Sequence, residues 1–199
     1  MAIIQIFAKP PVAGMVKTRL ITDLGKTTAT NIYRYCLHYT LNLVRQSGLE
    51  YQLWLSEDST DPVFDGVDYR LQQGSDLGLR MLQAIDSQLQ QQGGDIAKVI
   101  LIGSDCLDIT IDHLRQAIEA LNHSDIVLQP ALDGGYALIA CRKIDARLFS
   151  DVIWGCDRVF EQTLKNAKDL DYRVTILETV RDIDTLQDVN HYAELKSLI

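Results

Sequence analysis

The sequence predicts an α/β protein: a three-layer α/β/α sandwich whose sheet is mostly parallel and holds at least one antiparallel strand. Three observations predict it. Apolar, β-branched runs alternate along the chain with stretches whose apolar residues recur every three or four positions. The run over 98–103 has an unbroken apolar centre, as suits a strand covered on both faces of a parallel sheet. Asp133-Gly134-Gly135 forms a tight turn between two apolar runs, which makes a hairpin and so a strand of opposite sense. No long linker, repeat or low-complexity tract interrupts the alternation, so residues 1–199 are expected to form one domain.

Each element has a local reason. Residues 3–8 read as the first strand, which stops at Lys9 because Pro10 and Pro11 can supply no ladder N–H. A glycine-containing loop with Lys9, Lys17 and Arg19 follows. Residues 28–46 carry Ala29, Ile32, Tyr33, Cys36, Leu37, Thr40, Leu43 and Val44 at helical spacing, closed by Ser47-Gly48. Residues 51–56 alternate as a strand, and 69–72 form a short one. Asp76 or Ser75 caps a helix over about 77–91, with Leu79, Leu82, Ile85 and Leu89 on one face and Gly93-Gly94 at its end. After the strand at 98–103, Thr110 caps a helix to about residue 121. Strands at 125–128 and 136–141 flank the Asp-Gly-Gly turn. A helix over about 157–168, a strand at 172–178 and a last helix at 185–198 complete the series.

Composition sets bounds on function. Apolar residues make up 47% and charged residues 23%, ordinary for a globular chain. The net charge of −8 disfavours nucleic acid and acidic lipid as partners, and it makes the cations between Lys9 and Arg19 locally conspicuous. Cys36, Cys106, Cys141 and Cys156 show no Cys-x-x-Cys pair, so reduced thiols are expected rather than disulfides or zinc. No apolar run is long enough to span a bilayer, and the N-terminus lacks signal-peptide regions, so a cytoplasmic location away from membranes is expected.

Ligands of open α/β sheets bind at the carboxyl ends of the strands. There the first strand delivers Lys9, Lys17 and Arg19, a set that suits an anion site next to a helix N-terminus or, more simply, a solvated basic loop. The central strand delivers Ser104 and Asp105. A carboxylate there can hold Mg²⁺ or Mn²⁺; its competing role, capping the next helix, belongs better to Thr110. Asp133 is a metal or ligand contact or simply the Asp of an Asp-Gly turn. In Asp182-Ile183-Asp184-Thr185 the two carboxylates point the same way on extended backbone, which suits shared coordination of one ion. Asp184 or Thr185 can cap the last helix, and the cap falls better to Thr185 and a ligand role to Asp184. The histidines lack metal spacing, with His113 and His123 on predicted exposed helix edges. Cys106 reads as a packed thiol, and Trp154 and Tyr136 as core or pocket wall. Dinucleotide and P-loop fingerprints are absent.

Five motifs, in this order, carry a resemblance: Phe7-Ala8-Lys9-Pro10-Pro11 with Gly14 and Val16-Lys17-Thr18-Arg19-Leu20; the segment 73–81 (Gln-Gly-Ser-Asp-Leu-Gly-Leu-Arg-Met); Ile102-Gly103-Ser104-Asp105-Cys106; Pro130-Ala131-Leu132-Asp133-Gly134-Gly135-Tyr136; and Asp182-Ile183-Asp184-Thr185 with Asp188. The chain resembles the nucleotide-diphospho-sugar transferase superfamily with its GT-A-like fold. Within it, the chain resembles the small bacterial family named as radical-SAM/selenodomain-associated transferases or glycosyltransferases and long labelled a domain of unknown function.

The resemblance implies a transferase using an activated nucleotide and Mg²⁺ or Mn²⁺. Lys9, Gly14, Lys17, Arg19, Gly74, Asp76 and Arg80 would hold the nucleotide and its phosphates. Lys17, Arg19 and Asp105 would be catalytic, and Asp105 and Asp184 would hold the metal. Asp133, Gly134, Gly135 and Tyr136 would form the acceptor side. The expected reaction is glycosyl transfer from a nucleotide sugar to a small-molecule acceptor. The alternatives are nucleotidyl transfer to a phosphorylated acceptor with release of pyrophosphate, or nucleotide binding without catalysis. The chain departs from the family at Met15, where a lysine is usual, and at Leu107, where a proline is usual.

Overall fold

The computed structural model describes residues 2–91 and 97–199. Its strands are β1 (Ala2–Ala8), β2 (Glu50–Leu55), β3 (Tyr69–Leu71), β4 (Lys98–Ile102), β5 (Ile126–Pro130), β6 (Tyr136–Cys141) and β7 (Val174–Ile176). They form one sheet in the order β3-β2-β1-β4-β6-β5-β7. Among the described residues β6 alone runs against its neighbours β4 and β5, and the other pairings are parallel. The hairpin at 131–135 therefore supplies the expected antiparallel strand, with a register shift at Gln129/Pro130.

The helices are α1 (Thr18–Ser47), α2 (Leu77–Gln91), α3 (Ile111–Ala120), α4 (Val159–Asp169), α5 (Leu186–His191) and α6 (Ala193–Lys196). Successive strand residues point to opposite faces. Along β4, Ile100 and Ile102 join a core with Leu37 of α1 and Leu114 of α3. Val99 and Leu101 join the opposite core with Ile85 of α2 and Ala167 of α4. Three layers result, and each fully buried Ile or Leu side chain contributes about 2 kcal/mol. A smaller cluster joins Leu20 and Ile32 of α1 to Leu107, Ile183, Val189 and Leu195, closing one end of the sheet.

Several elements depart from expectation. α1 begins at Thr18, ten residues early, and Gly25 (φ 76°, ψ 164°) breaks it into a short first stretch and a long second one. Burial of Leu20 in the end cluster holds that first stretch in place. Leu82, Ile85 and Leu89 of α2 pack on the core as expected, joined by Gly78, Met81 and Ala84, whereas Leu79 is exposed. The expected stop at Gly93-Gly94 lies outside the described residues. The last helix is two short pieces, because Tyr192 adopts extended backbone (φ −106°, ψ 122°) and its hydroxyl donates to Asp108 Oδ1 at 2.7 Å. His113 is buried rather than exposed: its Nδ1 accepts from the Thr110 N–H, which leaves Nε2–H to donate to Glu178 at 2.6 Å.

Asp125, before β5, is buried and accepts from the Arg173 N–H at 2.9 Å and from Arg142 Nη2 at 3.0 Å. Burial opposes its charge, but these donors and Lys143 overcome that and hold the carboxyl down at about 2. Its folded value lies below its unfolded one. The stability it contributes is therefore present above the ordinary carboxylate value and is lost as pH falls toward about 2. Asp125→Asn is expected to cost about 2 kcal/mol at neutral pH and to flatten the acid limb of stability. Urea unfolding at about pH 7 and about pH 3 checks both.

Candidate functional site

The parallel strands end on one edge of the sheet, and three chain segments converge there. The first is the loop after β1. The Met15 N–H bonds to the Val12 carbonyl at 3.0 Å, and Gly14 takes φ 88° to close the turn. Val16 is buried and pulls the chain back under the sheet edge. Lys17 then occupies left-handed backbone (φ 47°, ψ 45°), unusual for a residue with a side chain, at the N-cap of α1. That geometry sends its ammonium into the protein instead of into solvent.

The second segment is Gly103-Ser104-Asp105 after β4. Tyr33 of α1 fastens it to the first, because its hydroxyl accepts from the Lys9 N–H at 2.8 Å and donates to the Lys9 carbonyl at 3.0 Å. That hydroxyl also meets Ser104 Oγ at 2.9 Å, with the serine as donor. Burial pushes the phenol up to about 12, so it stays protonated and keeps its donor.

The third segment is the strand-like stretch after β7. The Val180 N–H bonds to the Pro130 carbonyl at 2.9 Å, and the Ile183 N–H to the Asp105 carbonyl at 3.0 Å. Ile183 is fully buried, so its neighbours Asp182 and Asp184 emerge together on the opposite side, as the two-residue spacing predicts. Asp188 holds this segment by accepting from the Asp184 and Thr185 N–H groups and from Arg181 Nη1 at 2.8 Å.

The convergence makes a charge cluster. Lys17 Nζ lies 2.8 Å from Asp105 Oδ2 and 3.3 Å from Asp184 Oδ1, with a side chain only 4% exposed. Arg19 Nη1 takes the other Asp184 oxygen at 2.6 Å. Burial works against the Lys17 charge, but Asp105 and then Asp184 outweigh it and hold the ammonium above its ordinary value. On the far side, oxygens of Asp133, Asp182 and Asp184 lie within 4.8 Å of one another. Burial first, then the Asp133, Asp105 and Asp184 carboxylates, push Asp182 up to about 7. Crowded carboxylates with only oxygen donors fit a hard divalent cation.

Two cavities meet at this cluster. A cleft of about 500 Å³ is lined by Lys9, Lys17, Arg19, Arg80, Tyr33, Ser104, Asp105 and Asp184, with Met15 at its rim. A pocket of about 290 Å³ is lined by Met81, Asp133, Gly135, Tyr136, Trp154 and Asp182. Phe7, Leu77, Gly103 and Asp105 belong to both, so the two are continuous.

The structure thus brings Lys9, Lys17, Arg19, Arg80, Asp105 and Asp184 into one cleft, and Asp133, Gly135 and Tyr136 into the adjoining pocket. Gly14, Gly74 and Asp76 do not line either. Gly14 makes the loop turn, the Gly74 carbonyl accepts from Arg80 Nε at 3.1 Å, and Asp76 caps α2 by accepting from the Leu79 N–H at 2.9 Å. Gly134 stands behind the pocket wall, its carbonyl accepting from the Phe160 N–H at 2.9 Å. Sequence reasoning missed Tyr33, which reads as one more apolar position on α1 because its partner Ser104 is 71 residues away. Asp182, paired with Asp184 by the two-residue spacing, lies in the carboxylate cluster together with Asp133.

Comparisons with known proteins bear on this site. A family model described as "Uncharacterized protein conserved in bacteria (DUF2064)" matches residues 40–156, more than half of the chain. No curated protein matches it. Among solved structures, a provisionally designated nucleotide-diphospho-sugar transferase from Desulfovibrio desulfuricans G20 is similar over 98% of this chain and 87% of its own. That pair shows 30% identity and a TM-score of 0.87. A nucleotidyl transferase from Methanothermobacter thermautotroptrophicus is similar over 100% and 99%, with 15% identity and a TM-score of 0.59. A CMP:2-keto-3-deoxy-manno-octonic acid synthetase complexed with CTP is similar over 98% of each chain, with 11% identity and a TM-score of 0.58. These last two share the fold alone. The chain has the nucleotide-diphospho-sugar transferase-like fold and belongs to the bacterial DUF2064 family.

Proposed function

We propose that the protein is a metal-dependent transferase that uses an activated nucleotide, and that it transfers a glycosyl group from a nucleotide sugar to a small-molecule acceptor. One observation carries the reading: four cations line the cleft, and the acidic cluster stands between that cleft and a pocket with aromatic walls. Lys17 and Arg19, with Lys9 and Arg80 farther along, suit the phosphates of the nucleotide. Asp105 and Asp184 would hold Mg²⁺ or Mn²⁺, with Asp182 beside them. Bound there, the ion would offset charge developing on the departing phosphates.

The remaining work falls to the chain's own residues. Tyr33 and Ser104 fix the positions of the Lys9 backbone and the β4 end, so the phosphate loop and Asp105 keep their spacing. The hairpin wall with Asp133 and Tyr136 positions the acceptor beside Asp105. In the transfer, an acceptor hydroxyl oxygen bonds to the anomeric carbon as the bond from that carbon to the diphosphate oxygen breaks. The hydroxyl proton passes to a carboxylate of the pocket, Asp133 or Asp182, and the nucleoside diphosphate leaves.

A second reading is nucleotidyl transfer, in which an acceptor phosphate attacks the α-phosphorus and pyrophosphate leaves. The basic Lys17-Thr18-Arg19 segment after β1 and the fold shared with a nucleotidyl transferase favour it. Calorimetry with nucleoside triphosphates and nucleotide sugars, with and without Mg²⁺ or Mn²⁺, tests the common part. Binding is expected to require metal and to weaken about tenfold or more in Asp105→Ala. Absence of binding under every metal condition would sink the transferase reading. Nucleoside diphosphate among the turnover products supports glycosyl transfer, and pyrophosphate the alternative.

A further inference from the structure

The carboxylates of the cleft stand on two separate chain segments, so their spacing depends on what ties those segments together. Asp105 follows β4, whereas Asp182 and Asp184 follow β7. Asp108 makes a tie between the two and lines neither the cleft nor the pocket. Its Oδ2 accepts from the Arg181 N–H at 2.8 Å, and its Oδ1 accepts from the Tyr192 hydroxyl at 2.7 Å. The Arg181 carbonyl in turn accepts from the Cys106 thiol at 3.2 Å. Arg181 is therefore pinned through both its N–H and its carbonyl. A second pin is the Ile183 N–H on the Asp105 carbonyl at 3.0 Å. Asp182 lies between these pins, and Asp184 comes directly after the second.

Tyr192 is anchored independently. It stands in extended backbone between α5 and α6, and Val189 and Leu195 on either side of it are buried in the end cluster. Burial, and then Asp108, push its phenol above the ordinary value, so the donor persists.

We propose that Asp108 is a positioning residue: braced by Tyr192, it sets the distance between Asp105 and the Asp182–Asp184 pair, and with it the fit of those carboxylates to an ion. The proposal rests on reading these carboxylates as the metal ligands. Groups that orient ligands in this way govern metal affinity without touching the metal. A positioning role and a charge role make different demands on the side chain. Asp108→Asn can keep both ties, because its amide oxygen accepts from the Arg181 N–H and its amide N–H donates to the Tyr192 oxygen. The phenol proton then turns to the Arg181 carbonyl, 3.4 Å away. Asp108→Ala keeps neither tie and leaves the Arg181 N–H without its partner. Both variants remove the same charge, so comparing them separates the two roles.

Electron paramagnetic resonance of Mn²⁺ reads the first effect. Affinity is expected to fall about tenfold in Asp108→Ala, about threefold in Tyr192→Phe, and no more than about twofold in Asp108→Asn. Tyr39→Phe is the matched control. Its hydroxyl donates to the Ile109 carbonyl at 3.0 Å on the same loop and, among the described residues, bonds to none of 181–184. It should lose stability much as Tyr192→Phe does and leave Mn²⁺ affinity unchanged. Amide hydrogen exchange at Ile183 is the second readout and needs no metal. It should speed up about tenfold in Asp108→Ala and stay unchanged in Tyr39→Phe. If Asp108→Ala does not fold, Tyr192→Phe and Asp108→Asn decide alone: the ties predict the larger loss in the first, and charge predicts it in the second. Equal losses in Asp108→Ala and Asp108→Asn, or unchanged exchange at Ile183 in Asp108→Ala, overturn the proposal. Absence of Mn²⁺ binding in the unaltered protein removes the metal reading, and exchange at Ile183 still decides on the brace.

Discussion

Lys17→Met is expected to tighten Mn²⁺ binding in the absence of phosphate by about tenfold and to weaken pyrophosphate binding by about thirtyfold or more. The opposite signs follow from the ion pairs. In the free protein Lys17 and Arg19 neutralise Asp105 and Asp184, and both oxygens of Asp184 are engaged. A divalent ion binding alone must displace an ammonium. A polyphosphate binding alone must draw a cation away from a carboxylate. When both arrive, the metal takes the carboxylates and the lysine takes phosphate, so each loss is offset. Methionine keeps the apolar stem and removes the charge.

Electron paramagnetic resonance of free Mn²⁺, with calorimetry of pyrophosphate, measures the two effects. Unfolding without metal should also show a penalty of about 3 kcal/mol, because two carboxylates lose their buried partner, and added Mn²⁺ should recover much of it. Arg19→Met should shift metal affinity only a few-fold, since that side chain is 61% exposed and its pair is screened. Unchanged or weaker metal binding in Lys17→Met would show that these carboxylates do not receive the ion.

Gly134→Ala should be the most destabilising single-methyl addition at the site. Its backbone holds φ 88°, and a Cβ would lie 2.0 Å from the Asp157 carbonyl oxygen and 2.5 Å from its Cα. Neither neighbour can swing aside, because both are backbone. The hairpin must therefore lift off the 157–160 segment, and about 3 to 4 kcal/mol is expected. For a chain of this length that lowers the melting temperature by about 10 °C. Gly135→Ala is the control: its Cβ would meet mainly the Asp133 carboxylate, 3.1 Å away at the end of a side chain, and should cost about 1 kcal/mol. Equal losses in the two variants would show that the docking of the hairpin is not what holds the pocket wall.

Much of this architecture was legible in the sequence for identifiable reasons. Buried strands declare themselves by apolar runs, and Lys98–Ile102 and Tyr136–Cys141 do so with both faces covered. Thr110 and Asp76 announce their helices because caps act through adjacent backbone. Of the candidate site, the cations and carboxylates at the strand ends were legible, since strand ends are where such folds place ligands. What they do to one another was not. The direction of the Lys17 side chain depends on left-handed backbone at a non-glycine residue, which no local pattern predicts. The start of α1 at Thr18 depends on Leu20 finding Ile183 and Val189 far along the chain. The burial of His113 likewise depends on Glu178, 65 residues away.

The ion pairs of Lys17 have one more consequence, for synthesis. Their partners lie 88 and 167 residues downstream. A chain emerging from the ribosome presents its basic loop early and can complete β1 through β4 while Asp184 is still untranslated. Through that interval Lys17 has at most one partner, and the end cluster lacks Ile183, Val189 and Leu195. The charge cluster at the cleft is therefore among the last features to form, and no nascent fragment ending before Asp184 can carry it.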